Sequence, residues 1–193
     1  MEDIINKVKE EVLKDILKFK EESDDNFDYW KEHIKYVYEE SIKLAKLYNA
    51  DINIVKLGAL LHDIALIKKV GERKDHHING ARANIGKEIL DKYNIDEDIK
   101  NRVIGCIYNH RSSKNATNIE EMCVSDADIL AHFDNISMLY NRAFNGYKYN
   151  LKETKEFIKE CFIKDYDDLS NKTKELFKDR YNIIMDVVLG EEE

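Results

Sequence analysis

The stretch Leu57-Gly58-Ala59-Leu60-Leu61-His62-Asp63-Ile64-Ala65-Leu66-Ile67 sets a histidine and an aspartate side by side in an otherwise apolar run. An ionisable pair buried there without partners costs several kcal/mol, so it must be satisfied by a metal, a counter-charge or a hydrogen-bond network. The turn residues Asn49-Ala50-Asp51 precede the run, with Asp51 or Asn53 as cap, and Lys68-Lys69-Val70-Gly71 follow it. It therefore reads as one helix of a helical core.

The rest of the chain supports an all-α class. It holds no proline and 7 glycines in 193 residues, so little interrupts long helices. Upstream, apolar residues recur every three or four positions from Ile4 to Phe19. A second helix is expected over about Asp28 to Tyr48, with Trp30, His33, Val37 and Leu44 on one stripe. Downstream, helices are expected from His76 to about Tyr93 with Asp75 as N-cap, and from Asp96 to about His110. A long or broken helix over Ile119 to about Phe144 and two further helices, about Leu151 to Phe162 and Leu169 to Leu189, complete the order. The length fits a single domain over 1–193, with a core at 29–140 and C-terminal helices at 150–190 packing on it.

A net charge of −8 argues against general nucleic-acid binding. Cys106, Cys123 and Cys161 have no CxxC spacing and suggest neither a disulfide framework nor a thiolate zinc site. No run is long enough to span a bilayer and Met1 to Lys7 has no apolar core flanked by basic residues, so a cytoplasmic protein is expected.

Five of the six histidines, His33, His62, His76, His77 and His110, fall at expected helix faces or ends beside apolar residues. Together with Asp63 and a later aspartate they would furnish a mixed nitrogen and oxygen shell for a divalent metal, drawn from several helices. The later aspartate is Asp126 or Asp128, which point about 200° apart on a helix, so that only one can reach the metal.

The order His33, His62-Asp63, His76, His110 and Asp128 resembles the HD-domain metal-dependent phosphohydrolase superfamily over roughly Tyr29 to Tyr140. His76 to Ala81 is similar to its His-x-x-x-Gly-Ala pattern, which favours His76 over His77, and Ile107 to His110 to an Ile-x-x-His pattern. Ala127-Asp128-Ile129-Leu130 resembles its distal aspartate element, which favours Asp128 and leaves Asp126 as the alternative or as a partner bonding a ligand histidine from behind. Asp126-Ala127-Asp128 and Lys174 to Arg180 resemble elements of its small stand-alone hydrolases. The Gly-Tyr-Pro element of the cyclic-di-GMP-cleaving members is absent, since Arg111-Ser112-Ser113 follows His110.

The resemblance implies an HD-type helical bundle holding one or two divalent ions (Fe, Mn, Mg, Zn, Ni or Co) that hydrolyses a phosphoester of a nucleotide or small phosphorylated metabolite. Asp63 would bridge two metals and His132 or an uncoordinated carboxylate would orient the nucleophile or protonate the leaving group. Arg73, Arg82 and Arg111 flank the ligands and are candidates for substrate phosphate, whereas Lys114 and Lys148 read as surface charges. Tyr29, Trp30, Tyr36, Tyr108, Tyr140 and Tyr147 are expected to pack in the core rather than stack on a base. The competing functions are a non-catalytic metal or nucleotide sensor and a di-iron oxygenase; a homodimer is left open and no membrane partner is expected.

Overall fold

The apolar periodicity folds into helices joined by short polar turns, and the described residues contain no strand. The computed structural model describes residues 1–22, 27–82 and 85–189, apart from the side chains of Arg73, Arg82 and Leu189. Part of the expected break at Glu21 to Asn26, Ala83 of the expected His76 to Tyr93 helix, and the acidic tail at 191–193 lie outside that description.

The helices are α1 (Glu2–Glu21), α2 (Lys35–Tyr48), α3 (Ile52–Leu61), α4 (Ile64–Ile67), α5 (His76–Arg82), α6 (Ile85–Asp91) and α7 (Glu97–Asn109), followed by α8 (Ile119–Asp134), α9 (Ser137–Asn141), α10 (Leu151–Asp168) and α11 (Asn171–Leu189). Helix α3 buries every residue from Ile54 to Leu61 except Lys56 and lies at the centre, touching α1, α2, α7 and α8. It starts where the Asp51 side chain accepts the amide of Asn53 at 2.9 Å. A Cβ on Gly58 would stand 2.7 Å from the Cys106 Cβ, so the glycine is what lets α3 approach α7 so closely. One connected set of buried apolar residues reaches from Ile5 on α1 to Met185 on α11. No helix among the described residues is long and apolar enough to cross a membrane.

The expected helix through Leu57 to Ile67 is in fact two. Asp63 leaves helical geometry with φ −103° and ψ 14°, which separates α3 from α4 at the His62-Asp63 pair. A single π-helical turn, Trp30–Ile34, carries His33 ahead of α2. Such turns cluster at functional sites because they re-aim a side chain within a helix. Of the two forms expected after Ile119, the helix takes the broken one and ends at Asn135, whose side-chain amide donates to the Glu32 carbonyl at 2.9 Å and to its carboxylate at 2.8 Å. Asn135 thereby clamps the end of α8 to the turn that carries His33. Tyr29 is buried, but Tyr140 and Tyr147 are 42% and 45% exposed, contrary to the expectation of core packing. They lie at the edge formed by α9 and the turn after it, beyond the apolar centre.

Candidate metal centre

The six ligand candidates leave five places in the fold: His33 the π turn, His62 and Asp63 the α3–α4 break, His76 the start of α5, His110 the end of α7 and Asp128 the middle of α8. A Cβ on Gly80 would meet Ile107 at 3.0 Å, so this glycine lets α5 lie against α7 and brings His76 beside His110. The side chains converge as two groups, His33 with His62 and Asp128, and Asp63 with His76 and His110. Within each group the ligand atoms lie within 4.8 Å of one another.

In the first group, His33 Nε2 lies 3.2 Å from His62 Nε2 and 3.1 Å from Asp128 Oδ1. In the second, His76 Nε2 lies 3.0 Å from His110 Nε2 and 2.9 Å from Asp63 Oδ1. Asp63 joins them, because its other oxygen, Oδ2, faces His33 at 3.4 Å and His62 at 3.5 Å. His62 Nδ1 donates to the Ala59 carbonyl at 2.8 Å and His110 Nδ1 to the Ile107 carbonyl at 2.7 Å. A carbonyl only accepts, so both rings carry their proton on Nδ1 when neutral and present a bare Nε2 to the centre. That is the orientation a metal-binding histidine requires.

The cluster is buried, and its protons are redistributed to suit. Burial disfavours charge on His33, but hydrogen bonds to Asp128 and Asp63 outweigh it and raise the imidazole to about 9. Burial and the neighbouring His62 push His110 down to about 3. Burial alone would raise both carboxylates; the surrounding histidines instead hold Asp63 and Asp128 below the usual carboxylate range. One buried carboxylate and one largely buried carboxylate facing four imidazoles favour a cation, and this nitrogen and oxygen set suits divalent iron, manganese, cobalt, nickel or zinc.

Asp126 does not support a ligand histidine. It is fully buried on the far side of α8 and accepts from the hydroxyls of Ser113 at 2.5 Å, Ser170 at 2.6 Å and Thr173 at 2.5 Å and from the Ser170 amide at 2.8 Å. Its position two residues from Asp128 turns it toward the α10–α11 junction. His77 stays outside both groups. His132 stacks on His33 with ring centroids 5.8 Å apart, and its Nδ1 donates to Asp165 on α10 at 2.8 Å. Asp165 escaped the sequence reading because α10 carries nine other charged side chains from Lys152 to Asp168 with no pattern that marks it. The Arg111 guanidinium donates to the Lys74 carbonyl at 2.8 Å, tying the end of α7 to the loop before His76. The side chains of Arg73 and Arg82 lie outside the described residues. Lys114 pairs with Asp167 and Asp168, in keeping with a surface charge.

Comparison with known proteins gives the same outline. The family model described as HD domain matches residues 30–132, from the π turn to His132. The chain is 33% identical over 147 residues, 68% of its length, to a tRNA (cytidine(56)-2'-O)-methyltransferase of Thermoplasma volcanium, of which it spans 40%. It is 33% identical over 88 residues, 46% of its length, to ribonuclease Y of Staphylococcus epidermidis, of which it spans 15%. Among solved structures it is similar to an HD-superfamily hydrolase from Bacillus thuringiensis, with TM-score 0.64, 22% identity and coverage of 94% of this chain and 95% of the other. A predicted HD superfamily hydrolase from an uncultured Thermotogales bacterium gives TM-score 0.54 at 21% identity, covering 84% of each chain. At that identity these two likenesses speak for the fold.

Proposed function

The chain belongs to the HD domain family, and from that premise we propose that it is a metal-dependent phosphohydrolase holding two divalent ions and acting on a nucleotide or other small phosphorylated metabolite. One observation carries the reading: the Asp63 carboxylate faces both groups at once, Oδ2 toward His33 and His62 and Oδ1 toward His76. A carboxylate shared in this way is how two-ion hydrolytic sites are built. The ribonuclease among the relatives is named for cleaving RNA, whose backbone is a phosphoester, and this supports the reaction class.

In this reading His33, His62 and Asp128 would hold one ion and His76 and His110 the other, with Asp63 within reach of both groups. Ions there supply a water that ionises near neutral pH and positive charge for the phosphoryl oxygens. The protein's own part is positioning. The Nδ1 bonds of His62 and His110 fix their rings, the Asn135 clamp on Glu32 fixes the His33 turn, and burial of the ligands keeps bulk water from the carboxylates. Arg73, Arg82 and Arg111 are assigned to the substrate phosphate.

The test is metal analysis of the purified protein, followed by a screen of phosphoesters with each candidate ion. The expected result is near-stoichiometric metal and turnover, both lost in the His62→Ala, Asp63→Ala double variant. Bound metal without turnover across nucleotides and phosphorylated metabolites would sink the enzymatic reading.

A further inference from the structure

The His132–Asp165 couple lies partly outside the matched family region, which ends at His132. His132 follows the ligand candidate Asp128 by one helical turn on α8, and its ring lies nearly parallel to that of His33, at 18°. Nδ1 is committed to Asp165, and Nε2 makes no hydrogen bond among the described residues. The side chain keeps 20% of its surface exposed, unlike the fully sequestered His62 at 0%. His132 therefore stands at the rim of the centre with one free nitrogen, while both ligand groups are complete without it.

Asp165 is held firmly enough to orient a ring. One turn before it, Phe162 is fully buried and stacks on Phe133, the neighbour of His132, with centroids 4.4 Å apart. Five residues after it, Ser170 and then Thr173 are bonded to the buried Asp126 of α8. Helix α10 is thus fastened to α8 on both sides of the His132–Asp165 contact. An imidazole whose Nδ1 is fixed by an anchored carboxylate presents Nε2 in one direction.

We propose that Asp165 is a positioning residue that holds His132 so that its bare Nε2 accepts a hydrogen bond from the water that attacks the bound phosphoester, making the C-terminal helices part of the catalytic apparatus. The inference rests on the phosphohydrolase reading. It predicts that Asp165 acts only through His132, and a packing role would not show that dependence.

The experiment compares wild type, Asp165→Ala, the near-isosteric Asp165→Asn, His132→Gln and the Asp165→Ala, His132→Gln double variant, loaded with manganese. Metal content, melting temperature, kcat and KM are measured on p-nitrophenyl phosphate and a panel of nucleoside monophosphates. The expected result is unchanged metal content and a kcat lowered about 10–100-fold by Asp165→Ala, as for other residues that orient a catalytic group. Asp165→Asn should fall between that variant and wild type, and in the His132→Gln background removal of Asp165 should change kcat less than twofold. Full kcat in Asp165→Ala, an equal loss in the His132→Gln background, or a loss matched by missing metal would each overturn the proposal. No turnover by manganese-loaded wild type would overturn the phosphohydrolase reading and this proposal with it; turnover insensitive to Asp165 would overturn this proposal alone.

Discussion

Asp63 is the residue on which the two halves of the cluster depend, since its oxygens face His33 and His62 on one side and His76 on the other. The halves should therefore separate by mutation. The His76→Ala, His110→Ala double variant should bind about one ion per chain where wild type binds about two, whereas Asp63→Ala should weaken both sites. Metal quantification after dialysis against a limiting chelator reads this directly, and two ions retained without His76 and His110 would refute the division. That His33, His62, Asp63 and His110 need partners was legible in their apolar surroundings, whereas His76 over His77 and Asp128 over Asp126 rest on the family resemblance. The place of Asp126 was not legible, since periodicity says only that it points away from Asp128. Its destination depends on Ser113, Ser170 and Thr173, which reach it from 13, 44 and 47 residues away. Asp126→Ala removes the shared acceptor of those hydroxyls and of the Ser170 amide, with Thr173 among them buried, and should cost about 3 kcal/mol. Folded Asp126→Ala should keep its metal, which Asp128→Ala should not; urea denaturation and metal content together separate the two aspartates.

At the scale of elements, the helices were readable from apolar spacing and the interruptions were not. The break at His62-Asp63 falls inside a run as apolar as any in the chain, with no glycine or proline at the break itself to announce it. The chain leaves helical geometry there at the residue that both ligand groups share, so the interruption belongs to the site. The π turn at Trp30–Ile34 is likewise invisible to a 3.6-residue pattern. Close helix approach, by contrast, is written in Gly58. A methyl group there would meet the Cys106 Cβ at 2.7 Å, and Cys106 is itself fully buried. Overpacking costs about 1–3 kcal/mol, more than the roughly 1 kcal/mol by which alanine favours a helix over glycine. Gly58→Ala should therefore lower the urea midpoint, followed by circular dichroism at 222 nm, despite its better helix propensity. A raised midpoint would mean that α3 and α7 can move apart freely.

For the molecule as a whole, the ligand candidates come from the π turn, the α3–α4 break, α5, α7 and α8, so metal binding should tie together elements spread over residues 33 to 128. An ion that binds the folded chain and not the unfolded one stabilises by mass action, about 2.7 kcal/mol per site at one hundred times its dissociation constant. In a chain of this size about 1 kcal/mol moves the melting temperature by roughly 2–4 °C, so chelation from one site should lower it by about 5–10 °C. The metal-free protein should still fold, because the apolar core from Ile5 to Met185 does not depend on the ligands and the raised His33 can hold a compensating proton between Asp63 and Asp128. Calorimetry with and without a chelator tests this, with Asp63→Ala as the control whose melting temperature should barely respond. Since α10 and α11 reach α8 through Phe133 and Asp126 on faces other than that of Asp128, the C-terminal helices should melt in the same transition as the core with or without metal. Two transitions, the later one alone sensitive to the chelator, would show that those helices form a separate unit and that the contact between His132 and Asp165 is not held by the core.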